Sequence, residues 1–318
     1  MLQQTQVGTV IPYYLRFTSE LPKLVDLAAA SEDKVLVLWS GLGYYRRARQ
    51  LHQTAKLCIE QHAGQLPKDP DALLDLPGIG RSTAGAILAQ AWNLPYPILD
   101  GNVKRVLTRY HGIAGWPGRR KVERKLWNLA ETHVPERQAA TYTQAIMDLG
   151  ATVCRRNHPR CCDCPLRITC YAHAQQRTSE FPEVRPPRQR PTRQATLLVL
   201  RDRQGRILLE RRLQTGVWQG LWSLPQDTTI GPLRNLAQAH AGLEGCRQQN
   251  LPIIHHSFSH YHWHATPWLI DRVTPFSGVH ESDQCNWWTP QQAMDLALPA
   301  PIRKFLNQLE ENLNWPNT

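Results

Sequence analysis

The chain has 318 residues, 42% of them hydrophobic and 20% charged, which is the composition of a globular protein with room for two domain cores. Its 37 lysines and arginines outnumber its 26 aspartates and glutamates and give a formal charge of +11, which favours a polyanionic partner over a membrane surface. No apolar run is long enough to span a bilayer and no signal-peptide pattern begins at Met1. Eight cysteines could indicate a secreted disulfide protein, but their clustering argues against it, so we expect a cytosolic protein.

The first residues of the chain have helical character. Residues 1–7, with the sequence MLQQTQV, are predicted to be the interior of a helix, because no capping residue precedes them. On sequence grounds alone, Gln3 and Gln4 would be solvent-facing positions of that helix. Short helices are also predicted at residues 24–29 and 35–39.

A glycine-rich turn at residues 41–45 carries two adjacent tyrosines, of which Tyr44 is the first. An exposed aromatic side chain on such a turn suits a wedge that fills the gap when a base leaves the DNA stack. Packing of the ring in the core is the alternative. Three arginines begin the next helix and are expected to face phosphates. They are Arg46, Arg47 and Arg49.

A helix, a glycine hairpin and a second helix are predicted over residues 70–92. A Pro-Gly pair ending in Gly78 interrupts the helical periodicity, which resumes near residue 82. Gly78 and Gly80 allow backbone N–H groups to approach an anion, and the N-terminus of the second helix adds its positive partial charge. The pattern predicts that Gly78, Gly80 and Ser82 bind DNA. An ordinary helical hairpin is the alternative.

An apolar run at residues 97–99 leads to Asp100, which begins another predicted helix. The ordinary role of Asp100 is to cap that helix. The same position also suits a carboxylate held at the mouth of a cleft, and capping does not exclude this role. Lys104 lies one helical turn later and is interpreted as an electrostatic helper in the same cleft.

The most specific signal in the chain is a cysteine motif, which a predicted helix ending on Gly150 precedes. Its members are Cys154, Cys161, Cys164 and Cys170. Four thiolates in one short loop can hold Zn²⁺ or a [4Fe–4S] cluster, and local chemistry does not decide between them because both accept four sulfurs. Cys162 is interpreted as a bystander. Two disulfides are disfavoured in a cytosolic helical protein.

The periodicity of the chain changes after a proline- and arginine-rich linker at residues 181–193. Apolar runs at residues 195–200 and 206–210 flank a turn and predict a β-hairpin. Residues 216–225 resemble the entry to a Nudix-like fold, but the helix predicted at 233–243 lacks the glutamates that would hold Mg²⁺. We therefore expect this region to bind rather than to hydrolyse.

A histidine-rich segment at residues 255–264 is the last candidate functional site in the chain. Its alternating histidines at 260–264 would share one face of a strand, but a metal site would need a better-defined fourth ligand. Phe258, Ser259 and His260 place short polar groups beside an aromatic ring. Such groups suit the recognition of a purine edge.

Together these motifs resemble the helix-hairpin-helix DNA glycosylases of the endonuclease III superfamily. LPGIGRSTA followed by ILDGNVKRV matches their hairpin and catalytic aspartate, and MLQQTQV with GLGYYRRARQLH matches the adenine DNA glycosylase branch, the MutY type. The resemblance covers nearly the whole chain. It implies an all-α helix-hairpin-helix glycosylase domain with an iron–sulfur cluster loop at 1–174, a linker at 175–193 and an α+β Nudix-like lesion-recognition domain at 194–318.

The resemblance also implies a role for each candidate residue. Asp100 would be the catalytic carboxylate, and Tyr44 would intercalate. Gln3 and Gln4 would enter the duplex beside the lesion. 8-Oxoguanine would be sensed by Phe258, Ser259 and His260. A [4Fe–4S] cluster would be held by Cys154, Cys161, Cys164 and Cys170.

The implied activity is the removal of adenine mispaired with 8-oxoguanine or guanine in double-stranded DNA, by a cytosolic, nucleoid-associated monomer. In the bifunctional branch a lysine nucleophile stands in place of Ser82, so we expect a monofunctional enzyme and disfavour a pyrimidine glycosylase with lyase activity. The general-acid glutamate of the family would lie two residues before Met1. Either the start codon is set too late, which we favour, or the product is a catalytically impaired lesion-binding protein.

Overall fold

A computed structural model of the chain describes residues 1–3, 5–186, 189–213, 216–276 and 284–312. Contacts between residues divide the chain into two compact units. The first joins Met1–Lys56 to Gln189–Thr318, and the second comprises Leu57–Arg188. The functional domains expected at 1–174 and 194–318 stay a prediction. None of the helices in the described ranges is both long enough and apolar enough to cross a membrane.

The described residues form thirteen α-helices and nine β-strands. The helices are α1 (Val7–Glu20), α2 (Leu24–Ala29), α3 (Glu32–Trp39), α4 (Arg46–Gln61), α5 (Pro70–Asp75), α6 (Arg81–Trp92), α7 (Gly101–His111), α8 (Arg120–His133), α9 (Ala139–Asp148), α10 (Tyr171–Ala174), α11 (Ile230–His240), α12 (Pro290–Met294) and α13 (Ala300–Asn312). The strands are β1 (Thr192–Asp202), β2 (Ile207–Arg211), β3 (Trp222–Ser223), β4 (Gln226–Asp227), β5 (Ala241–Gly242), β6 (Arg247–Asn250), β7 (Ile254–Ser257), β8 (His262–Pro275) and β9 (Cys285–Trp288).

The helices at the start of the first unit pack around a small aromatic and aliphatic core. Ser31 caps α3 by accepting a hydrogen bond from the N–H of Lys34 at 3.2 Å, and α3 buries Leu36 and Trp39 almost completely. The Phe17 ring of α1 meets Trp39 edge-on, with ring centroids 6.2 Å apart. This core anchors the turn that leads into α4.

The rest of the first unit is a mixed sheet covered by helices on both faces. β1 and β8 run parallel, whereas β2 pairs with β1 antiparallel. Side chains of β1 alternate between the two faces, so that Leu197 packs with Leu306 of α13 and Leu198 packs with Leu233 of α11. The expected α+β architecture of this region, including its first hairpin, is confirmed.

The second unit is all-α and contains the predicted hairpin, formed by α5 and α6. Its core lies among α7, α8 and α9, where Val103, Leu126 and Ile146 belong to one buried cluster. α7 begins directly after Asp100, as expected. The first residues of α5, α6 and α7 agree with the sequence prediction, because caps and glycines mark them clearly.

The prediction of a helix over residues 1–7 is wrong, because α1 begins only at Val7. The carbonyl oxygens of Met1 and Gln3 accept hydrogen bonds from the Arg47 guanidinium instead of helical N–H groups. A side chain distant in sequence therefore replaces the local helical pairing. Gln4 lies outside the described residues.

Gly150 does not end α9, contrary to prediction. The chain continues past it as a π-helical turn, Leu149–Val153. A Cβ at Gly150 would clash with Asn102 of α7, so this glycine serves the close approach of two helices. The predicted histidine strand is also shorter than expected: His260 lies in a bend, and β8 begins at His262.

Candidate active site and nucleic-acid interface

The hairpin between α5 and α6 presents the start of a helix to solvent. Asp69 caps α5 by accepting a hydrogen bond from the N–H of Ala72 at 2.9 Å. Gly78 has a positive φ of 80°, a conformation that a Cβ would strain. Gly80 is the N-cap residue of α6, and a Cβ built there would meet nothing within 4 Å. The first turn of α6 is therefore accessible to an anion.

Two residues of α6 hold the segment that leads to Asp100. The Ser82 hydroxyl oxygen accepts a hydrogen bond from the N–H of Leu99 at 2.9 Å. Gly85 lies so close to the backbone that a Cβ would clash with the carbonyl oxygen of Pro97. The hairpin helix and the residue preceding Asp100 are thus linked directly. A contact of Ser82 with DNA stays a prediction.

Asp100 is half-buried at the N-terminus of α7. One of its carboxylate oxygens accepts a hydrogen bond from the N–H of Val103 at 2.8 Å, so the residue caps the helix. The Lys104 ammonium, one turn later, donates to Glu123 of α8 at 2.6 Å. Lys104 is therefore a charge already paired with a carboxylate. Its expected role as an electrostatic helper stays a prediction.

Two arginines connect α7 to the cysteine loop. Arg105 donates to the carbonyl oxygens of Cys154 and Gly150, each at 2.7 Å. Arg109 is only 3% exposed and donates to the carbonyl oxygens of Phe181 and Arg155 at 2.8 and 2.7 Å. Its guanidinium also lies 3.4 Å from the Cys154 sulfur. The helix that Asp100 caps thus holds the loop in place.

The four motif cysteines line one cavity of about 30 Å³ in the second unit. Arg109, Arg160 and Arg167 line the same cavity. Burial raises the pKa of the Cys161 thiol, and the neighbouring motif thiols raise it further. Burial likewise raises the pKa of the Cys164 thiol. Burial thus disfavours the thiolate form of these sulfurs, which a bound cation would have to stabilise.

All eight cysteines are free thiols, and Cys162 is exposed. Within the described ranges, no group of three or more histidine, cysteine, aspartate or glutamate side chains is arranged to hold a metal ion.

Arg47 organises the candidate wedge in the first unit. Tyr44 has a positive φ of 48° and is 55% exposed, whereas Tyr45 is buried and donates its hydroxyl to the carbonyl oxygen of Leu298 at 3.2 Å. The Arg47 guanidinium lies 5.5 Å from the centre of the Tyr44 ring and binds the carbonyl oxygen of Gln3. Arg47 therefore points inward rather than toward phosphates.

The Phe258–His260 segment forms a tight turn between β7 and β8. The N–H of Phe258 donates to the carbonyl oxygen of Tyr261 at 2.9 Å, and the half-buried Phe258 ring lies 4.6 Å from the Tyr261 ring. Ser259 and His260 are exposed at the tip, with 3.3 Å between the hydroxyl oxygen and Nδ1. The aromatic residue is thus the base of the turn, and its two polar neighbours face solvent.

Sequence reasoning missed the residues that position this chemistry. Arg105 and Arg109 were not recognised, although their spacing places two cations on one face of α7. Glu123 gave no signal before the fold was known. Gly85 stands between two alanines, a run of small residues that is typical of close backbone packing.

Two protein-family models match the chain in succession. Residues 1–132 match the HhH-GPD superfamily of base excision DNA repair proteins, and residues 196–308 match the NUDIX domain. A solved structure of a thermostable thymine-DNA glycosylase is similar to this chain with a TM-score of 0.50 and 28% identity, over 55% of this chain and 80% of that one. Fold and hairpin define a helix-hairpin-helix DNA repair glycosylase that carries a Nudix-like domain.

Curated relatives make the assignment narrower. The adenine DNA glycosylase of Buchnera aphidicola is 33% identical over 98% of this chain and 89% of its own length. The adenine DNA glycosylase of Mus musculus is 35% identical over 98% of this chain and 70% of its own length. The chain belongs to the adenine DNA glycosylase family. The family resemblance, the fold class and a DNA glycosylase function in base-excision repair, with DNA as partner, are thereby confirmed.

Proposed function

We propose that this chain hydrolyses the N-glycosidic bond of adenine mispaired with 8-oxoguanine or guanine in double-stranded DNA. The observation that carries the proposal is the position of Asp100. Its carboxylate is held at the start of α7, and the residue before it is tied to the hairpin helix by Ser82. A DNA phosphate bound at the start of α6 would thus share one rigid support with the catalytic carboxylate.

The chemistry requires that adenine first leaves the stack, because its glycosidic bond is inaccessible within the duplex. As the bond breaks, the sugar acquires oxocarbenium character, and the Asp100 carboxylate would stabilise that positive charge. Acid assistance to the departing purine is the second requirement. The family resemblance assigns this acid assistance to a glutamate.

The absence of a nucleophilic amine at position 82 supports a monofunctional mechanism. A serine hydroxyl cannot form a Schiff base, and this one accepts a hydrogen bond from the Leu99 backbone. Lys104 is the nearest alternative on α7, but its ammonium is paired with Glu123 at 2.6 Å. Its nitrogen is already engaged by the Glu123 carboxylate, so Lys104 is not placed as a free nucleophile. Hydrolysis by water is therefore the expected outcome.

The cysteine loop fits a [4Fe–4S] cluster. All four motif sulfurs line one cavity together with Arg109 and Arg167, whose positive charges offset the negative charge of a thiolate-bound cluster. When bound, the cluster would cross-link the loop and supply a redox-active centre. Arg105 and Arg109 would hold the loop against α7 whatever the oxidation state.

The exposed Phe258–His260 turn fits the recognition of the base opposite adenine. Ser259 and His260 offer a hydroxyl and an imidazole at its tip, which can donate to and accept from a purine edge. Tyr44, Gln3 and Gln4 would fill and probe the space beside the displaced adenine. We further propose that the protein acts as a monomer associated with the cytosolic chromosome.

The test is adenine release under single-turnover conditions from a duplex with one 8-oxoguanine·adenine pair, beside a guanine·adenine and a fully matched duplex. We expect release from both mispairs, no release from the matched duplex and no borohydride-trapped covalent complex. The same assay on a chain extended upstream of Met1 separates two cases. Release by the extended chain alone, with selective binding by both, identifies this chain as a lesion-binding form. Failure of either chain to prefer a mispair would contradict the proposal.

A further inference from the structure

The turn between β2 and β3, at residues 216–221, connects two functional regions within the first unit. Two backbone hydrogen bonds hold it: the N–H of Gly220 donates to the carbonyl oxygen of Arg212 at 2.7 Å, and the N–H of Leu221 donates to the carbonyl oxygen of Trp218 at 3.0 Å. Trp218 has a positive φ of 65°, which is uncommon for a bulky residue. Such a conformation persists only where surrounding contacts hold it.

One side of this turn is seated on α3 and α4. The Arg49 guanidinium donates to the carbonyl oxygen of Gln219. A Cβ at Gly220 would lie 3.1 Å from a carboxylate oxygen of Glu32 and 3.2 Å from the Leu36 side chain, so the backbone approaches the helices closely. Leu221 is fully buried in the cluster formed by these helices. The turn is therefore part of the helical core.

The other side of the turn supports the Phe258–His260 segment. The Trp218 ring lies 5.1 Å from the Phe258 ring and 5.2 Å from the Trp263 ring, between centroids. Trp218 packs against both the helical cluster of Leu36 and the sheet cluster that includes Trp263. One side chain thus joins the base of the exposed turn to the helices.

Arg49 belongs to the helix that directly follows the candidate wedge. α4 begins at Arg46, two residues after Tyr44, and its first turns also carry Arg47, which stacks on the Tyr44 ring. Tyr45 donates a hydrogen bond to the carbonyl oxygen of Leu298, which lies between α12 and α13 in the same unit. Tyr44 is therefore exposed between residues that are themselves fixed by contacts within the unit.

We propose that Trp218 and Arg49 are positioning residues that couple the base read by the Phe258–His260 turn to the placement of Tyr44. A base that fits the turn would seat Phe258 against Trp218, and Trp218 with Gln219 would hold α4 in the arrangement that presents Tyr44 to the duplex. The coupling runs through packed side chains and one hydrogen bond. It rests on the proposed function, and it makes these two residues determinants of discrimination between 8-oxoguanine and guanine opposite adenine.

The test compares single-turnover rate constants for adenine release from 8-oxoguanine·adenine and guanine·adenine duplexes, with dissociation constants for the same duplexes. The variants are Trp218→Ala, Arg49→Ala and Ser259→Ala, singly and in pairs with Ser259→Ala. Trp218→Phe serves as the conservative variant. The matched controls are Trp287→Ala, a half-buried tryptophan of β9, and Arg206→Ala, a partly exposed arginine that pairs with the buried Asp202.

We expect Trp218→Ala and Arg49→Ala each to reduce the 8-oxoguanine preference by about fivefold or more, the lower range of measured couplings between sites. Trp218→Phe should keep most of the preference, and the controls should keep all of it. Paired with Ser259→Ala, neither variant should reduce the preference further, because all three act on one coupling.

Two results would overturn the coupling while the proposed function stands. One is an equal loss of rate and affinity on both duplexes, which indicates a structural role alone. The other is a paired variant whose loss of 8-oxoguanine preference equals the product of the losses in the two single variants, which indicates that the residues act independently. A wild-type chain that neither releases adenine from a mispair nor binds one selectively would overturn the proposed function, and the coupling with it.

Discussion

The two units hold their functional residues by different kinds of contact. In the second unit, Ser82, Arg105 and Arg109 make hydrogen bonds to backbone groups around Asp100 and the cysteine loop, most of them between 2.7 and 2.9 Å. In the first unit, Phe258 is supported mainly by aromatic rings, with centroids 4.5 to 5.1 Å away. Directed polar contacts characterise one region, and ring packing characterises the other.

The difference corresponds to the two tasks that we propose for these regions. A catalytic carboxylate must keep one position relative to the scissile bond, and directed hydrogen bonds define distance and angle narrowly. A turn that reads either 8-oxoguanine or guanine must accept more than one edge. Ring contacts lose little energy when rings shift, because they are not directional to the same degree. Substitutions that preserve shape should therefore be tolerated around the Phe258–His260 turn and not among the hydrogen bonds around Asp100 and the cysteine loop.

Asp100→Asn is expected to have the largest effect. Asparagine caps a helix as well as aspartate does, so α7 should stay intact while the negative charge disappears. We expect single-turnover adenine release to fall by about 10³-fold or more, since electrostatic stabilisation of a transition state is commonly of that size. Duplex binding and the melting temperature should be unchanged. Asp71→Asn, at an exposed position in α5, is the control. Substantial activity in Asp100→Asn would assign the chemistry elsewhere.

Arg109→Lys tests whether directed contacts tolerate a conservative change. Lysine keeps the charge, but a single ammonium cannot reach the carbonyl oxygens of both Phe181 and Arg155 from this 3% exposed position. We expect the free energy of unfolding to fall by about 3 kcal/mol, measured by urea denaturation, because buried acceptors lose their partner. Arg124→Lys on the exposed side of α8 should change it by less than about 0.5 kcal/mol. Equal values for the two variants would remove the contrast between the regions.

The elements around Asp100 were predictable because local chemistry marks them. Gly80, Asp100 and the short apolar run before Asp100 specify their conformations through caps and turns within a few residues. The beginning of the chain was not predictable in this way. Its carbonyl groups bind Arg47, more than 40 residues away, and no local pattern announces that contact.

The supports of the site were less predictable than the site itself. From the sequence, Arg109 is an ordinary charged residue of a helix, and only the structure shows that α7 places it beside the cysteine loop. Nothing in the sequence distinguishes Trp218 from the other tryptophans, and only the structure shows that its ring packs against two apolar clusters. Motifs report the residues that perform chemistry, whereas long-range packing selects the residues that hold them.

Phe258→Leu and Phe258→Ala measure the tolerance of ring packing. Removal of the half-buried ring in Phe258→Ala should lower the free energy of unfolding by about 2 kcal/mol through lost apolar burial. Phe258→Leu keeps most of the apolar volume and should cost less than about 1 kcal/mol. Urea denaturation of both variants provides the comparison. A leucine variant as unstable as the alanine variant would show that this turn, like Arg109, depends on one geometry.

The smallest expected effect concerns the far end of α7, where a polar contact depends on pH. The Nε2 atoms of His111 and His133 lie 2.8 Å apart, so one ring must donate and the other must accept. At least one of the two imidazoles is therefore neutral. Burial lowers the pKa of His111 below its ordinary value of 6.5, and His133 lowers it further.

Because the pKa of His111 is lower in the folded chain, the unfolded chain binds the proton first as the pH falls. The stabilising contribution is present above the unfolded pKa of 6.5 and is lost as the pH falls toward the folded value. We expect the melting temperature to decrease between about pH 7.5 and 5, and His133→Gln to weaken that dependence. The corresponding change in the free energy of unfolding should stay well below about 1 kcal/mol, because both rings are partly exposed and their charges are screened by solvent. His62→Gln, outside this pair, should leave the slope unaltered, and an equal slope in His133→Gln would exclude the pair as its source.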